Sequence, residues 1–219
     1  MTAAAKTNDP PRRGRPRSEA TRQAILGAAR ELLLEHGLDA VSMDALAQRA
    51  GASKATIYRW WPSKELLALD ALFSQWDSGA PQVPDTGSLV GDLLALVRPW
   101  ARQLARKRYG RIIAALVSSA QNDPVFGKEY RTRFVQPRRE PARTILARAG
   151  ARGEIPADVD LEAVLDLLYG PFYLRILHGH APVDERFART IVGYVVAAVA
   201  GPAEGRAGSG RRRSRVRSA

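Results

Sequence analysis

Apolar residues recur at three- and four-residue intervals along most of the chain and never alternate in a sustained run. This pattern predicts an all-α protein without a sheet. A first helix opens at Ser18, with Ile25, Ala29, Leu32, Leu33 and His36 at helical spacing, and Gly37 is placed to end it. A second follows Ser42, with Met43, Leu46, Ala47 and Ala50 on one face, until Gly51 breaks it. Ser53 caps a third, which Pro62 stops by disfavouring a helical Trp61. Ser63 caps a fourth over 63–77, with Glu65 in the first turn, where the helix dipole favours an acid.

The stretch SGAPQVPDTG, 78–87, interrupts the pattern and reads as a linker. Beyond it, apolar periodicity predicts helical segments at about 88–108, 110–121, 125–150, 160–178 and 184–200. The expected organisation is a basic arm (1–17), a helical domain (18–78), a linker (79–87), a second helical domain (88–200) and a basic tail (201–219).

Composition narrows the class. Hydrophobic residues make up 45% of the 219, enough for a packed core, and there is no cysteine, which removes disulfides and cysteine-based zinc sites. No apolar run is long enough to span a membrane, and MTAAAKTNDPPRRGRPR lacks the apolar core of a signal peptide. A soluble, cytoplasmic protein with no membrane association is expected. The net charge of +12 is concentrated at the ends: residues 1–17 carry +4, residues 201–219 carry +5, and the body between them only +3. Such blocks bind polyanions or remain solvated. Arginine supplies 29 of the 34 cations, a bias that GC-rich coding DNA alone would also produce.

The chemistry is densest in VSMDALAQRAGASKATIYRWWPSKELL, 41–67. Two short helices joined by a glycine-containing turn make a helix-turn-helix, at about 41–60. On the second of these helices Ile57 and Trp61, four apart, point together into the core. The opposite surface gathers Ala52, Ser53, Thr56, Arg59 and Trp60. Small residues at the leading end let a helix sit deep in a major groove. Thr56 suits a base edge or a thymine methyl, and Arg59 a guanine. Lys54 and Tyr58 flank that surface and suit phosphates. Four cations and no acid lie between Arg49 and Lys64, whereas residues 18–73 as a whole hold six cations against seven acids. Lys64 opposes the dipole at the start of the fourth helix, which a nearby phosphate would explain.

This stretch resembles the DNA-binding domain of the tetracycline-repressor (TetR/AcrR) family, through GASKATIYRWWPSKELL, the preceding SMDALAQRA and the first helix ATRQAILGAARELLLEHG. One departure is Trp61, where the family more often has phenylalanine; an aromatic plug is retained. The resemblance implies DNA contacts from Ser42, Ser53, Lys54, Thr56, Tyr58, Arg59, Trp60 and Lys64. It also implies that residues 88–200 form an effector cavity and a dimer interface.

In that second domain the last two helices read as the dimerisation pair. One carries Leu161, Val164, Leu165, Leu168 and Phe172; the other carries Phe187, Ile191, Tyr194, Val195 and Ala198, with Val192, Val196 and Val199 on further faces. Pocket candidates are Trp100, Leu104, Tyr109, Ile113, Leu116, Tyr169, Phe172, Tyr173 and Leu177, which favour a small apolar or aromatic effector. Gly170 and Pro171 interrupt a strongly apolar helix, either bending it into a ligand-facing kink or permitting close packing. His178 and His180 admit a metal reading, but no third ligand is evident and a surface loop explains them better. No cofactor or metal is expected. The chain has no glycine-rich phosphate loop, nucleophile elbow or paired zinc-binding histidines, so no enzyme is expected either.

The expected mechanism is a two-fold dimer placing two recognition helices in successive major grooves of a pseudo-palindromic double-stranded operator, about 34–36 Å apart. The resemblance further implies that effector binding would tilt the fourth helix and change that spacing. A rival reading is a sequence-tolerant architectural DNA-binding protein without an effector, and an activator would use the same fold. In the arm, Gly14-Arg15-Pro16 resembles an AT-hook core. Arg13, Arg15 and Arg17 then track the minor groove, unless the arm is merely a solvated tail. Deleting residues 1–17 is expected to weaken DNA binding and flatten its salt dependence; an unchanged salt slope would leave the arm a solvated tail.

Overall fold

The computed structural model describes residues 19–73 and 83–200, and among them every regular element is helical. The arms with Arg13, Arg15 and Arg17, Ser18 as a cap, and the linker up to residue 82 lie outside the described residues. Among the described residues no helix is long and apolar enough to cross a membrane.

The chain forms two compact units. The first begins with α1 (Glu19–His36), α2 (Met43–Ala50), α3 (Lys54–Trp60) and α4 (Lys64–Phe73). α1 buries Ile25, Leu26, Ala28, Ala29, Leu32 and Leu33 along one face, packs against α2 and α4, and ends at Gly37, whose φ is +85°. α4 buries Leu67, Ala68, Leu69, Ala71, Leu72 and Phe73. Residues 111–134 belong to this unit as well, although the sequence places them beyond the linker. They include most of α6 (Lys107–Asn122) and all of α7 (Pro124–Tyr130). α7 packs on α4, and the Phe73 and Phe134 rings stack with centroids 4.1 Å apart.

The second unit comprises α5 (Leu89–Leu104), α8 (Gln136–Ala151), α9 (Leu161–His178) and α10 (Glu185–Val199). α5 packs against α8 and α10, and α9 against the same two helices. Its core includes Leu93, Val97, Trp100, Ile145, Leu165, Phe172 and Val192.

Several sequence expectations are corrected. The segment 88–108 is divided: α5 ends at Leu104 and α6 begins at Lys107, with Ala105 and Arg106 donating to Ala101 and Gln103. No glycine or proline marks that break, so periodicity alone runs across it. The segment 125–150 contains α7, a π-helical turn (Arg131–Val135) and α8. Pro137 has no N–H for the carbonyl four residues back, which favours a local change of ladder. Gly170 and Pro171 do not break α9, which runs continuously through them. The Leu167 carbonyl loses its i+4 donor to Pro171, but Leu167 is exposed and water can serve.

Most residues of the expected dimerisation faces are committed to the chain's own core. Val164, Leu165, Leu168, Phe172, Phe187, Ile191, Val192, Val195 and Val199 are buried within the single chain. The outward face of α9 carries Leu167, Gly170, Leu174 and Leu177, at intervals of three and four residues, and that of α10 carries Gly193, Ala197 and two of the expected residues, Tyr194 and Ala198.

A buried carboxylate fixes the entry to α5. Asp92 has no exposed surface and accepts the Thr86 N–H at 2.5 Å and its hydroxyl at 2.8 Å. Arg148 and Arg152 each bring a guanidinium nitrogen to 3.6 Å. Gly91 makes this possible, because a Cβ there would lie 2.1 Å from the Thr86 hydroxyl oxygen. Burial alone would push the Asp92 carboxyl up, but the two Thr86 bonds and the two arginines outweigh it and hold it below its ordinary value. A depressed carboxyl stabilises the fold above the ordinary pKa, and that contribution disappears as pH falls through the folded value. Asp92→Asn is therefore expected to be less stable at neutral pH, with the gap from the parent narrowing as pH drops below 3.8. Thermal melts of both chains across the acid range check this; a gap independent of pH would count against it.

Candidate nucleic-acid interface

Local chemistry sets the geometry between α2 and α3. Ser42 caps α2, its hydroxyl accepting the Ala45 N–H at 3.1 Å. Gly51 ends α2 in the left-handed region, with φ 61° and ψ 31°, where a side chain would be strained. Ala52 returns its N–H to the Ala47 carbonyl at 3.1 Å, closing the turn. Ser53 then caps α3, accepting the Thr56 N–H at 3.1 Å, with its hydroxyl 2.9 Å from that of Thr56. A cap of this kind is worth about 1 kcal/mol, a large share of what a seven-residue helix has. Trp61 leaves the helix in extended conformation ahead of Pro62.

This framework orients the side chains. Ile57 is fully buried and Trp61 only 2% exposed, while Tyr58, Arg59 and Trp60 face solvent. Beside them lies a shallow hollow of about 240 Å³, lined by Thr21, Gly51, Ala52, Ser53, Thr56, Arg59 and Trp60. Thr21, from the first turns of α1, has no spacing signal in the sequence that would attach it to α3. The hollow thus has small residues and hydroxyls on one side and a guanidinium and an indole on the other. It offers donors, an acceptor and a flat apolar ring, the set that base edges and sugar–phosphate require.

The cationic strip is narrower than the sequence suggests. Arg49 turns back to α1, bonding Glu35 at 2.9 Å, and Lys54 pairs with Asp44 at 2.7 Å. The hydrogen bond that Lys54 donates to Asp44, followed by the charge of that carboxylate, raises the Lys54 pKa. Arg59 and Lys64 have no ion pair among the described residues. Lys64 is half-buried in the first turn of α4, where Ser63 caps by accepting the Leu66 N–H at 3.2 Å.

The pocket candidates divide into three groups. Trp100, Tyr169, Phe172 and Tyr173 form one aromatic cluster, with ring centroids 4.9 to 5.8 Å from that of Trp100. Leu104 and Tyr109 are buried in the same unit. Ile113 and Leu116 lie in the core of the first unit, and Leu177 is half-exposed on the outward face of α9. The sequence reading missed Arg138, one of many arginines, because nothing in its surroundings marks it. Its guanidinium lies 4.6 Å over the Trp100 ring and its carbonyl accepts the Tyr169 hydroxyl at 3.0 Å. Burial pushes the Tyr169 phenol up to about 12, keeping it a donor. The Trp100 indole N–H is buried without a hydrogen-bond partner. His178 and His180 are exposed, with ring centroids 6.3 Å apart. Among the described residues no group of three or more potential metal ligands occurs.

Two short capped helices across a glycine turn, the second anchored inward and bare outward, define a helix-turn-helix DNA-binding protein. The family model for bacterial regulatory proteins of the tetR family matches residues 25–71, and that for the tetracyclin repressor-like C-terminal domain matches residues 83–195. The chain is 44% identical over 181 residues to YdeS, an uncharacterised helix-turn-helix-type transcriptional regulator of Bacillus subtilis, covering 83% of this chain and 90% of that one. It is 34% identical over 179 residues to the DNA-binding transcriptional repressor TetR of Mycobacteroides abscessus, covering 80% and 92%. The crystal structure of the TetR family transcription regulator SCO0332 superposes with a TM-score of 0.70 at 36% identity, covering 82% of this chain and 98% of that one. The chain belongs to the TetR family of transcriptional regulators.

Proposed function

We propose that this regulator is a repressor that binds a pseudo-palindromic operator as a homodimer and is released by a small apolar or aromatic effector. The outward surface of α3 carries the reading: Thr56, Arg59 and Trp60 line one hollow while Ile57 and Trp61 anchor the helix from behind. Arg59 and Thr56 read base edges, Ser53 and Trp60 flank them, and Ser42, Lys54, Tyr58 and Lys64 hold phosphates. The repressor named among its relatives supports the sign of regulation. The cluster around Trp100 supports an aromatic effector. The unpartnered Trp100 N–H and the Arg138 cation beside it favour one that also carries a hydrogen-bond acceptor.

The first test compares the affinity of the chain for duplex from beside its own gene with that for a shuffled duplex, at physiological salt. A preference of about 10³-fold or more is expected, and equal affinities would favour an architectural role. Arg59→Ala is expected to cost about 1–3 kcal/mol on the preferred duplex and to relax one base preference. Lys54→Gln should weaken both duplexes and lower the salt slope by about 1. Equal losses for Arg59→Ala on both duplexes would reduce Arg59 to a phosphate contact.

A second copy of the chain is the proposed occupant of the outward faces of α9 and α10. Leu167, Leu174 and Tyr194 are 53%, 53% and 70% exposed, and Gly170 and Gly193 between them have open space above the backbone. Apolar residues flanking glycines let two helices approach closely, and a two-fold axis brings the same stripe from both copies together. Leu174→Glu is expected to give a folded monomer by sedimentation, with operator binding lost; a dimer of unchanged mass would place the interface elsewhere.

A further inference from the structure

Trp61 does more than fill space. It closes α3, its backbone N–H bonding the Ile57 carbonyl at 2.9 Å, and its ring is almost fully buried. A phenyl ring would occupy much of the same volume, but only the indole supplies a donor. That donor, Nε1, meets Asp70 Oδ2 of α4 at 2.7 Å. The same carboxylate receives Arg133 from the π-helical turn, with Nη2 2.9 Å from Oδ2 and 2.8 Å from Oδ1. The Asp70 side chain is only 13% exposed, so its charge depends on these two donors more than on water.

Two consecutive helices and a turn 63 residues further on therefore meet on one carboxylate: the end of the helix facing DNA, the helix that follows it, and the turn after α7. The remaining inward anchor of α3, Ile57, makes only non-directional contacts. The Trp61–Asp70 bond has a direction, and it fixes how the C-terminal end of α3 is rotated. Arg133 in turn holds Asp70 in the rotamer that accepts the indole. Its competing partner is Glu129, 3.8 Å away on α7.

We infer that Asp70 and Arg133 are positioning residues for operator reading, acting through the indole N–H of Trp61 to set the angle at which α3 presents Thr56 and Arg59. The inference rests on α3 being the DNA-reading helix. Phosphate contacts tolerate small rotations of a helix, whereas paired bonds to a base edge do not. Loss of the bond therefore reduces discrimination rather than general affinity.

The test uses the full chain, a duplex enriched from a randomised pool by the unaltered protein, and a shuffled duplex of the same composition. Trp61→Phe keeps an aromatic ring in most of the same volume and removes the donor. Arg133→Gln removes the charge that holds Asp70, and Asp70→Asn keeps an acceptor for the indole without the ion pair. Trp61→Phe and Arg133→Gln are each expected to lower the enriched-to-shuffled affinity ratio by about tenfold, the scale of one hydrogen bond to a charged group, and Asp70→Asn by less, with shuffled affinity unchanged in all three. The double variant Trp61→Phe/Arg133→Gln is expected to lose little more than Trp61→Phe alone, because both act along one path. Strictly additive losses, or a ratio within about twofold of the parent in Trp61→Phe, would overturn the inference. Losses on both duplexes in step with the melting temperature would also overturn it, leaving the network a stabilising contact only. Failure of the unaltered chain to enrich any sequence would overturn the reading of α3 and this inference with it.

Discussion

The burial of Ile57 and Trp61 beneath α3 is the contact on which the DNA-facing surface depends, because a seven-residue helix has too few internal hydrogen bonds to persist alone. Burying a side chain such as Ile57 contributes about 1.5–3 kcal/mol, more than any cap at the same helix. The caps have a different task. Ser53 and Gly51 decide where the helix starts, and Trp61 with Pro62 decides where it stops, so that the two anchors fall four residues apart on the inward side. With both ends and one face committed, Thr56, Arg59 and Trp60 have only the outward side left. Function at this site is a consequence of what the other residues must do to keep the helix in place.

What was legible in the sequence is what is decided locally. Ser42, Gly51, Ser53 and Pro62 act within a turn of where they stand, and a turn's chemistry survives any tertiary context that keeps the helix. The inward pair Ile57 and Trp61 is likewise visible from spacing alone. Contacts between distant segments were not. The Arg133–Asp70 pair spans 63 residues, and nothing near Arg133 distinguishes it from the other arginines. The π-helical turn that carries it leaves no periodic trace, since one additional residue merely shifts the apolar pattern by about 100°. The same blindness explains why the apolar stripes of α9 and α10 read as dimer faces. Apolar stripes at 164–172 and 187–199 are strong because they serve the chain's own core, whereas the outward stripe is interrupted by Gly170 and Gly193 and scores as weak.

Gly170 and Pro171 illustrate how two residues with one reputation act differently. Proline inside a helix forfeits a hydrogen bond to the carbonyl four residues back. At position 171 the forfeited acceptor is Leu167, which faces outward, so the cost falls where water replaces the bond and α9 continues. Glycine next to it weakens the helix but removes the side chain from the same outward face. A buried helix would pay for both changes without return. On an exposed apolar stripe both are cheap.

Electrostatics around α3 follow a comparable logic. A surface built only for affinity would leave its cations unpaired, yet Lys54 is engaged by Asp44 and Arg49 by Glu35. Exposed pairs of this sort stabilise the fold little, so a phosphate can take Lys54 from Asp44 without great loss. The displaced acid then remains close to the DNA backbone and repels it. That repulsion applies to every sequence alike, because all duplexes carry the same phosphates. The base contacts proposed for Thr56 and Arg59 apply only to a matching one. The acids therefore subtract from random DNA and operator equally in free energy. Random DNA has nothing else to offset the subtraction, so its occupancy falls first, while the operator remains bound. With α3 as the proposed reading helix, pairing the cations with acids thus lowers total affinity while confining the protein to the sites that α3 can read.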